Sequence, residues 1–392
     1  MQIRIILFAL TALIFPTNEK HTAPLPAQVP AKIKHIEADT TQAISGIENL
    51  KVWNAWKKNP VSRYDWLLIG DSYTQGNFYS GLLRDKLLAE GYKDGGPGYC
   101  SFGRWSPTEA YSIDGSINAG QLTATYNTKL WESINENTYG SCNHVKNTAP
   151  KATISVTAKV PLNTLTLIYE RHVAAGNFRY RVNKGMWKKV NASNPKQDIA
   201  SLTINTAALG KNINVEIESL AAGQIFCGVL GKRTGNVLTL HKAGSSGARA
   251  DVFAQNPLWE ASTRLTTPKG VTIMFGTNEE NGNIPPETMK ANVQNIIDKV
   301  RRMSPKCDIL IMSPVQTTYD NEQPRKYKLA QYAEMLRNLA IANKAAFIDH
   351  AKVFGPFGQA SVDNEMMATD RVHPGPKGGE VIAETIYKGL KK

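Results

Sequence analysis

The chain changes texture partway along its length. From about 109 to 235, short runs of β-prone residues (152–159, 164–170, 178–183, 201–206, 214–218 and 225–230) are divided by Gly, Asn and Pro, and helical periodicity is absent. That spacing predicts an antiparallel sandwich. On either side the pattern differs. Compact apolar runs at 66–69, 237–240, 271–275, 309–312 and 346–348 read as strands buried on both faces. Helical stretches alternate with them. One holds Leu83, Leu87 and Leu88 and closes at Gly91. The next, 286–303, puts Met289, Val293, Ile296, Ile297, Val300 and Met303 on one face. Two more follow at 329–342 and 377–388, the latter closed by Gly389. A weaker amphipathic pattern at 39–56 (Ile44, Ile47, Leu50, Val52, Trp56) also reads as helix. Strands alternating with helices imply a doubly wound parallel sheet. The expected architecture is an α/β domain, 39–108 and 236–392, interrupted by an all-β insertion at 109–235.

Length and charge bound the rest. With 392 residues the chain is long enough for two packed cores. The apolar run 5–15 behind Arg4 matches the central segment of a secretory signal peptide, so 1–19 is expected to direct export or to anchor the chain. A Pro-containing stretch at 20–38 reads as a linker. The net charge of +13 attracts anionic surroundings. Its lysines and arginines are spread rather than clustered among aromatics, which argues against nucleic acid and for an anionic envelope polymer. Cys100, Cys142, Cys227 and Cys307 lack metal-ligand spacing. In an oxidising compartment Cys100 and Cys142, which flank the start of the insertion, are the expected disulfide pair; the alternative is that each is a small buried apolar residue.

Four short motifs carry chemistry. Gly70-Asp71-Ser72 ends the first apolar strand where a helix begins. Open α/β sheets place their sites at such strand ends. A simple strand-to-helix turn capped by Asp or Ser is the alternative. Asp370 and His373 stand three residues apart before the last helix, a spacing that lets a carboxylate reach one imidazole nitrogen while the other faces a hydroxyl. Gly276-Thr277-Asn278-Glu279 follows the 271–275 strand, and Gly244-Ser245-Ser246-Gly247 follows the 237–240 strand. Together they supply what acyl transfer requires: a nucleophile, a base, a group that orients the base, and oxyanion donors.

This set resembles the SGNH (GDSL-like) hydrolase superfamily. Gly70-Asp71-Ser72 resembles its first block, Gly247 the second, Gly276-Thr277-Asn278 the third and Asp370-x-x-His373 the fifth. The resemblance implies a flavodoxin-like three-layer α/β/α fold and ester chemistry without metal or cofactor. It also implies Ser72 as nucleophile, His373 as base, Asp370 as its orienter, and an oxyanion hole of Ser72, Gly247 and Asn278. Glu279 departs from the family's usual Asp, and Gly244 competes with Gly247 for its block. Ser72 and Gly247 are much further apart than one crossover helix needs. With Gly95-Gly96-Pro97-Gly98-Tyr99 after the first helix, that interval resembles the bacterial peptidoglycan O-acetylesterases, in which a carbohydrate-binding-like β domain interrupts the hydrolase.

The resulting expectation is an exported serine esterase of the periplasm or cell envelope that removes O-acetyl groups from a cell-wall glycan through an acyl-enzyme. An O-acetyltransferase, a lipase or thioesterase, and a glycan-binding protein with a dead core are the rivals. Trp187 reads as core, with a sugar platform as the alternative. Tyr99, Arg104 and Trp105 read as a mouth near the site. His144, His172, His241 and His350 have no ligand spacing and read as ordinary.

Overall fold

The computed structural model describes residues 42–103, 112–113, 120–134, 144–317 and 325–392. The expected export segment at 1–19, the linker at 20–38, Arg104, Trp105 and Cys142 lie outside the described residues. Among the described residues no helix is long and apolar enough to cross a membrane.

Six strands form the main sheet in the spatial order β1 (Ile44–Ser45), β18 (Ala346–Asp349), β17 (Asp308–Ser313), β16 (Gly270–Met274), β2 (Tyr64–Gly70) and β15 (Leu238–Gly244). All pairings are parallel except that of β1 with β18. Each residue of β2, β15, β16, β17 and β18 is buried, as the continuous apolar runs require when helices cover both faces. Period-two alternation divides them. Tyr64, Trp66 and Leu68 pack with Trp53 of α1 (Lys51–Lys58), Leu83 of α3 (Ser80–Ala89) and Ile382 of the C-terminal helix (Pro376–Lys391). Leu67 and Ile69 face the opposite cluster. That cluster holds Phe253 of α4 (Ala250–Gln255), Trp259 of α5 (Trp259–Arg264), Val293 of α7 (Pro286–Met303) and Leu336 of α8 (Leu329–Ala342). Three layers, α/β/α, result.

Two helices differ from expectation. The 39–56 pattern holds a helix only from Lys51. Ile44 and Ser45 instead pair with β18, because Gly46, at φ 67°, turns the chain off the sheet edge. Asp308 of β17 then fixes the helix start by accepting N–H bonds from Val52 (3.1 Å) and Trp53 (2.6 Å). At the other end, Gly389 does not close the last helix, which runs on to Lys391. Gly389 lies within this turn, facing Ile44, Ile47 and Ile348.

Between α3 and β15 the chain forms two antiparallel sheets. One has the order β11 (Lys188–Asn191), β10 (Asn177–Val182), β13 (Ile213–Ser219), β8 (Thr153–Ala158), β5 (Leu122–Tyr126). The other runs β12 (Asp198–Asn205), β9 (Thr164–Arg171), β14 (Ile225–Lys232), β3 (Gly98–Gly103), β4 (Ser112–Ile113), with β6 (Trp131–Ile134) and β7 (His144–Asn147) joined to it through β14. Ile154, Val156, Val215 and Ile217 from the first meet Leu165, Leu167, Phe226 and Val229 from the second in one apolar core. Antiparallel pairing begins at Gly98, ahead of the change in sequence texture near 109. Trp187 is not in this core. It is half-buried, with the guanidinium carbons of Arg179 and Arg181 each 4.5 Å from its ring centre.

The join to the main sheet is polar and specific. Arg63 binds Asp65 (2.7 Å) and the carbonyl of Gly95 (3.0 Å). His241 of β15 accepts at Nδ1 from the Tyr99 N–H (3.1 Å) and so donates from Nε2 to Asp65 (2.6 Å). Tyr99, expected at a mouth near the site, is instead buried, and its hydroxyl donates to the Cys227 carbonyl. Cys100, Cys227 and Cys307 are all buried as well.

Candidate active site

The sheet order puts β2 between β15 and β16, with Gly70 in register with Gly244 on one side and Met274 on the other. The three segments that leave these strand ends are therefore neighbours. Gly70-Asp71 turns into α2 (Ser72–Gln75), and the Asp71 carboxylate caps it by accepting from the Tyr73 N–H (3.0 Å). Ser72 is thus the first helical residue, its N–H among those a helix leaves unbonded.

The loop before the C-terminal helix brings its two residues to Ser72. His373 Nε2 lies 2.8 Å from Ser72 Oγ, and His373 Nδ1 lies 2.7 Å from Asp370 Oδ2. The other Asp370 oxygen accepts from the backbone N–H of Val372 (3.0 Å) and His373 (2.9 Å). Arg371 takes a left-handed conformation, φ 63°, in the turn between Asp370 and those donors. Burial disfavours the Asp370 anion, but the two N–H bonds and the imidazole outweigh it and hold the carboxyl below its usual range. The carboxylate fixes Nδ1 as the protonated nitrogen, leaving Nε2 to accept the serine proton. Phe78 stacks on the imidazole at 5.2 Å between centres, and Tyr73 donates its hydroxyl to the Val372 carbonyl.

Gly247 sits in an exposed turn after β15 at φ 71°, a conformation that favours glycine. Among the described residues its N–H and that of Ser72 have no protein acceptor. Gly244 does something different. A Cβ there would lie 2.3 Å from the Gln75 nitrogen, so its bare backbone lets α2 lie against β15. Asn278, in α6 (Thr277–Asn281), donates one amide hydrogen to the Ala248 carbonyl (3.0 Å) and keeps a second. Next to it Glu279 is buried and accepts from the Ala250 N–H (2.7 Å). Glu279 and Asp71 both have their carboxyls pushed up to about 7, chiefly by burial, with the Glu279 charge adding to the rise at Asp71.

The structure thus brings Ser72, His373 and Asp370 into one hydrogen-bonded line and sets Gly247 and Asn278 at the two strand ends flanking it. Gln75 had no mark in the sequence. It is buried one turn after Ser72, and its side-chain oxygen accepts from the Ser246 N–H while its carbonyl takes Lys242 Nζ (2.7 Å). No spacing rule connects 75 with 246; only the adjacency of β2 and β15 does.

Residues 214–381 match the family described as GDSL-like Lipase/Acylhydrolase, a span that contains Gly247, Asn278, Asp370 and His373 but not Ser72. Among solved structures, a peptidoglycan O-acetylesterase superposes with a TM-score of 0.66 at 18% identity, covering 88% of this chain and 95% of its own. A salicylyl-acyltransferase from a tetracycline biosynthetic pathway superposes at 0.34 and 13% identity, covering 73% of this chain and 96% of its own. An acetyl-xylooligosaccharide esterase variant from Geobacillus Stearmophilus superposes at 0.33 and 20% identity, covering 40% and 74%. No curated protein matches the chain.

Proposed function

We propose, from the SGNH (GDSL-like) hydrolase fold that this chain carries, that it is a serine esterase removing O-acetyl groups from a cell-wall glycan, peptidoglycan in the first place, at the cell envelope. The observation that carries the reading is the line Ser72 Oγ–His373 Nε2, 2.8 Å, and His373 Nδ1–Asp370, 2.7 Å. As His373 takes the Ser72 proton, Oγ attacks the acetyl carbonyl and forms a tetrahedral oxyanion. The Ser72 and Gly247 N–H groups and the second Asn278 amide hydrogen are its donors. The imidazolium returns the proton to the departing sugar oxygen, leaving acetyl-Ser72. Water, deprotonated by the same imidazole, then releases acetate and restores the serine. Side chains exposed by 28% at His373 and 52% at Asp370 give water access to the relay, which favours hydrolysis over transfer to a second sugar.

The two antiparallel sheets are assigned to a carbohydrate-binding-like module inserted into the hydrolase. A module joined beside β15 raises the local concentration of a polymer without touching the chemistry. The likeness to the peptidoglycan O-acetylesterase over 88% of the chain supports this assignment at the level of fold. The deciding experiment measures acetate release from O-acetylated peptidoglycan and from acetylated xylan, with the Ser72→Ala variant as control. Faster release from peptidoglycan, abolished in the variant, is expected. Release that survives the loss of the Ser72 hydroxyl refutes the mechanism, and a preference for xylan refutes the substrate.

A further inference from the structure

The turn between β15 and α4 is held at every second residue by a side chain from elsewhere in the site. The Ser246 N–H donates to the Gln75 side-chain oxygen. The Ala248 carbonyl accepts from Asn278 Nδ2 at 3.0 Å. The Ala250 N–H donates to Glu279 Oε1 at 2.7 Å. Gly247 stands between the first two of these ties, exposed, at φ 71°, with nothing within 4 Å of where a Cβ would be. Among the described residues its N–H is bonded to nothing in the protein.

We infer that Gln75 and Glu279 are positioning residues for the oxyanion hole, holding the Gly247 N–H against the nucleophile from opposite ends of the turn. The inference rests on the esterase reading above. Gln75 belongs to the same helical turn as Ser72, so one four-residue helix carries the nucleophile and also grips the segment that carries the donor. Lys242 Nζ, bonded to the Gln75 carbonyl at 2.7 Å, and the Ser245 N–H, bonded to the Gly70 carbonyl at 3.1 Å, tie the base of the turn to the same corner. Glu279 does the same from β16, whose following helix also presents Asn278. All three expected donors are thereby referenced to the end of β2. A free turn of Gly and Ser at 244–247 would wander; a donor misplaced by about 1 Å loses up to 10²-fold in rate. Both side chains act through Gly247 and neither needs to touch the substrate.

The test compares Gln75→Ala, Glu279→Ala and Glu279→Gln with the wild type on nitrophenyl acetate, with active sites counted by an organophosphate that titrates Ser72. Gln75→Ala and Glu279→Ala should each lower kcat per titrated site about 10- to 100-fold, with KM within about twofold. Glu279→Gln retains the acceptor for the Ala250 N–H and should recover most of kcat. Hydrogen exchange over 244–250 should be at least about tenfold faster in Gln75→Ala than in the wild type, whatever the esterase activity. A kcat per site within about twofold of wild type in Gln75→Ala would overturn the inference, even if fewer molecules fold. So would unchanged exchange over 244–250, or an equal loss in Glu279→Gln and Glu279→Ala. A wild type that turns over no acetyl ester, with exchange still accelerated in Gln75→Ala, overturns the esterase reading and leaves the clamp standing.

Discussion

Replacing Glu279 by glutamine should change how stability depends on pH, and the structure sets the size of the effect. Asp71 and Glu279 are each 1% exposed. Burial raises the Glu279 carboxyl from 4.5 to about 7 against the opposing pull of the Ala250 N–H, and Asp71 rises to about 7 for the same first reason. An acid that holds its proton more tightly folded than unfolded favours the fold at low pH. That advantage is complete below about 4.5 and is lost as pH climbs through about 7. For Glu279 alone the difference is of order 3 kcal/mol. Glutamine does not ionise, keeps an oxygen for the Ala250 N–H, and removes the charge that lifts Asp71. Urea unfolding at about pH 4.5 and about pH 8 reads the change directly. The wild type should lose stability between them, and the variant should lose at least about 2 kcal/mol less, making it the more stable protein at the alkaline end. Parallel stability curves for the two proteins would refute the argument, since they would mean that Glu279 crosses this range without titrating.

Other consequences follow from single features. Ser72→Ala and His373→Ala should each reduce acetyl-ester turnover by several orders of magnitude and the double variant little further, because the two act as a unit; additive losses in steady-state rates would contradict the relay. Among the described residues neither ring nitrogen of the buried His350 has a hydrogen-bond partner, and burial lowers its pKa to about 3. His350→Leu should therefore stabilise the protein by about 1–3 kcal/mol near neutral pH, read as a raised urea midpoint. Gly389→Ala should gain about 0.5 kcal/mol, because the added methyl meets Ile47, Ile44 and Ile348 at ordinary contact distances of 3.4 to 3.6 Å; a fall in Tm would show that the helix cannot accept it. Trp187 lies half-buried outside the core of the inserted sheets, where an aromatic ring suits an interface, so Trp187→Ala should slow acetate release from insoluble O-acetylated glycan severalfold and leave nitrophenyl acetate unchanged, and equal effects on both substrates would remove Trp187 from polymer binding.

Periodicity carried the layers. The runs at 66–69, 271–275, 309–312 and 346–348 are strands with both faces buried, and helices stand at 286–303 and 329–342. A residue's neighbours along the chain decide such elements, so their signal is local. Where a local signal served two outcomes, tertiary contact chose. Ile44 fits an amphipathic helix or an edge strand equally well, and the free edge of β18 took it. Trp187 fits a core, yet Arg179 and Arg181 hold it outside, because ring and guanidinium attract when both lie at a surface.

The site divides in the same way. Ser72 at a strand end, Asp370 and His373 three apart, and glycine at a turn are each marked by their immediate surroundings, so these residues stood out in the linear pattern as candidates for a nucleophile, a base and its orienter. The sequence by itself did not determine that Ser246, Ala248 and Ala250 are tied to Gln75, Asn278 and Glu279. Those ties join residues 29 to 171 positions apart. Nothing in a linear pattern encodes such pairs, because they exist only once β15, β2 and β16 lie side by side in the sheet and their ends meet at Ser72.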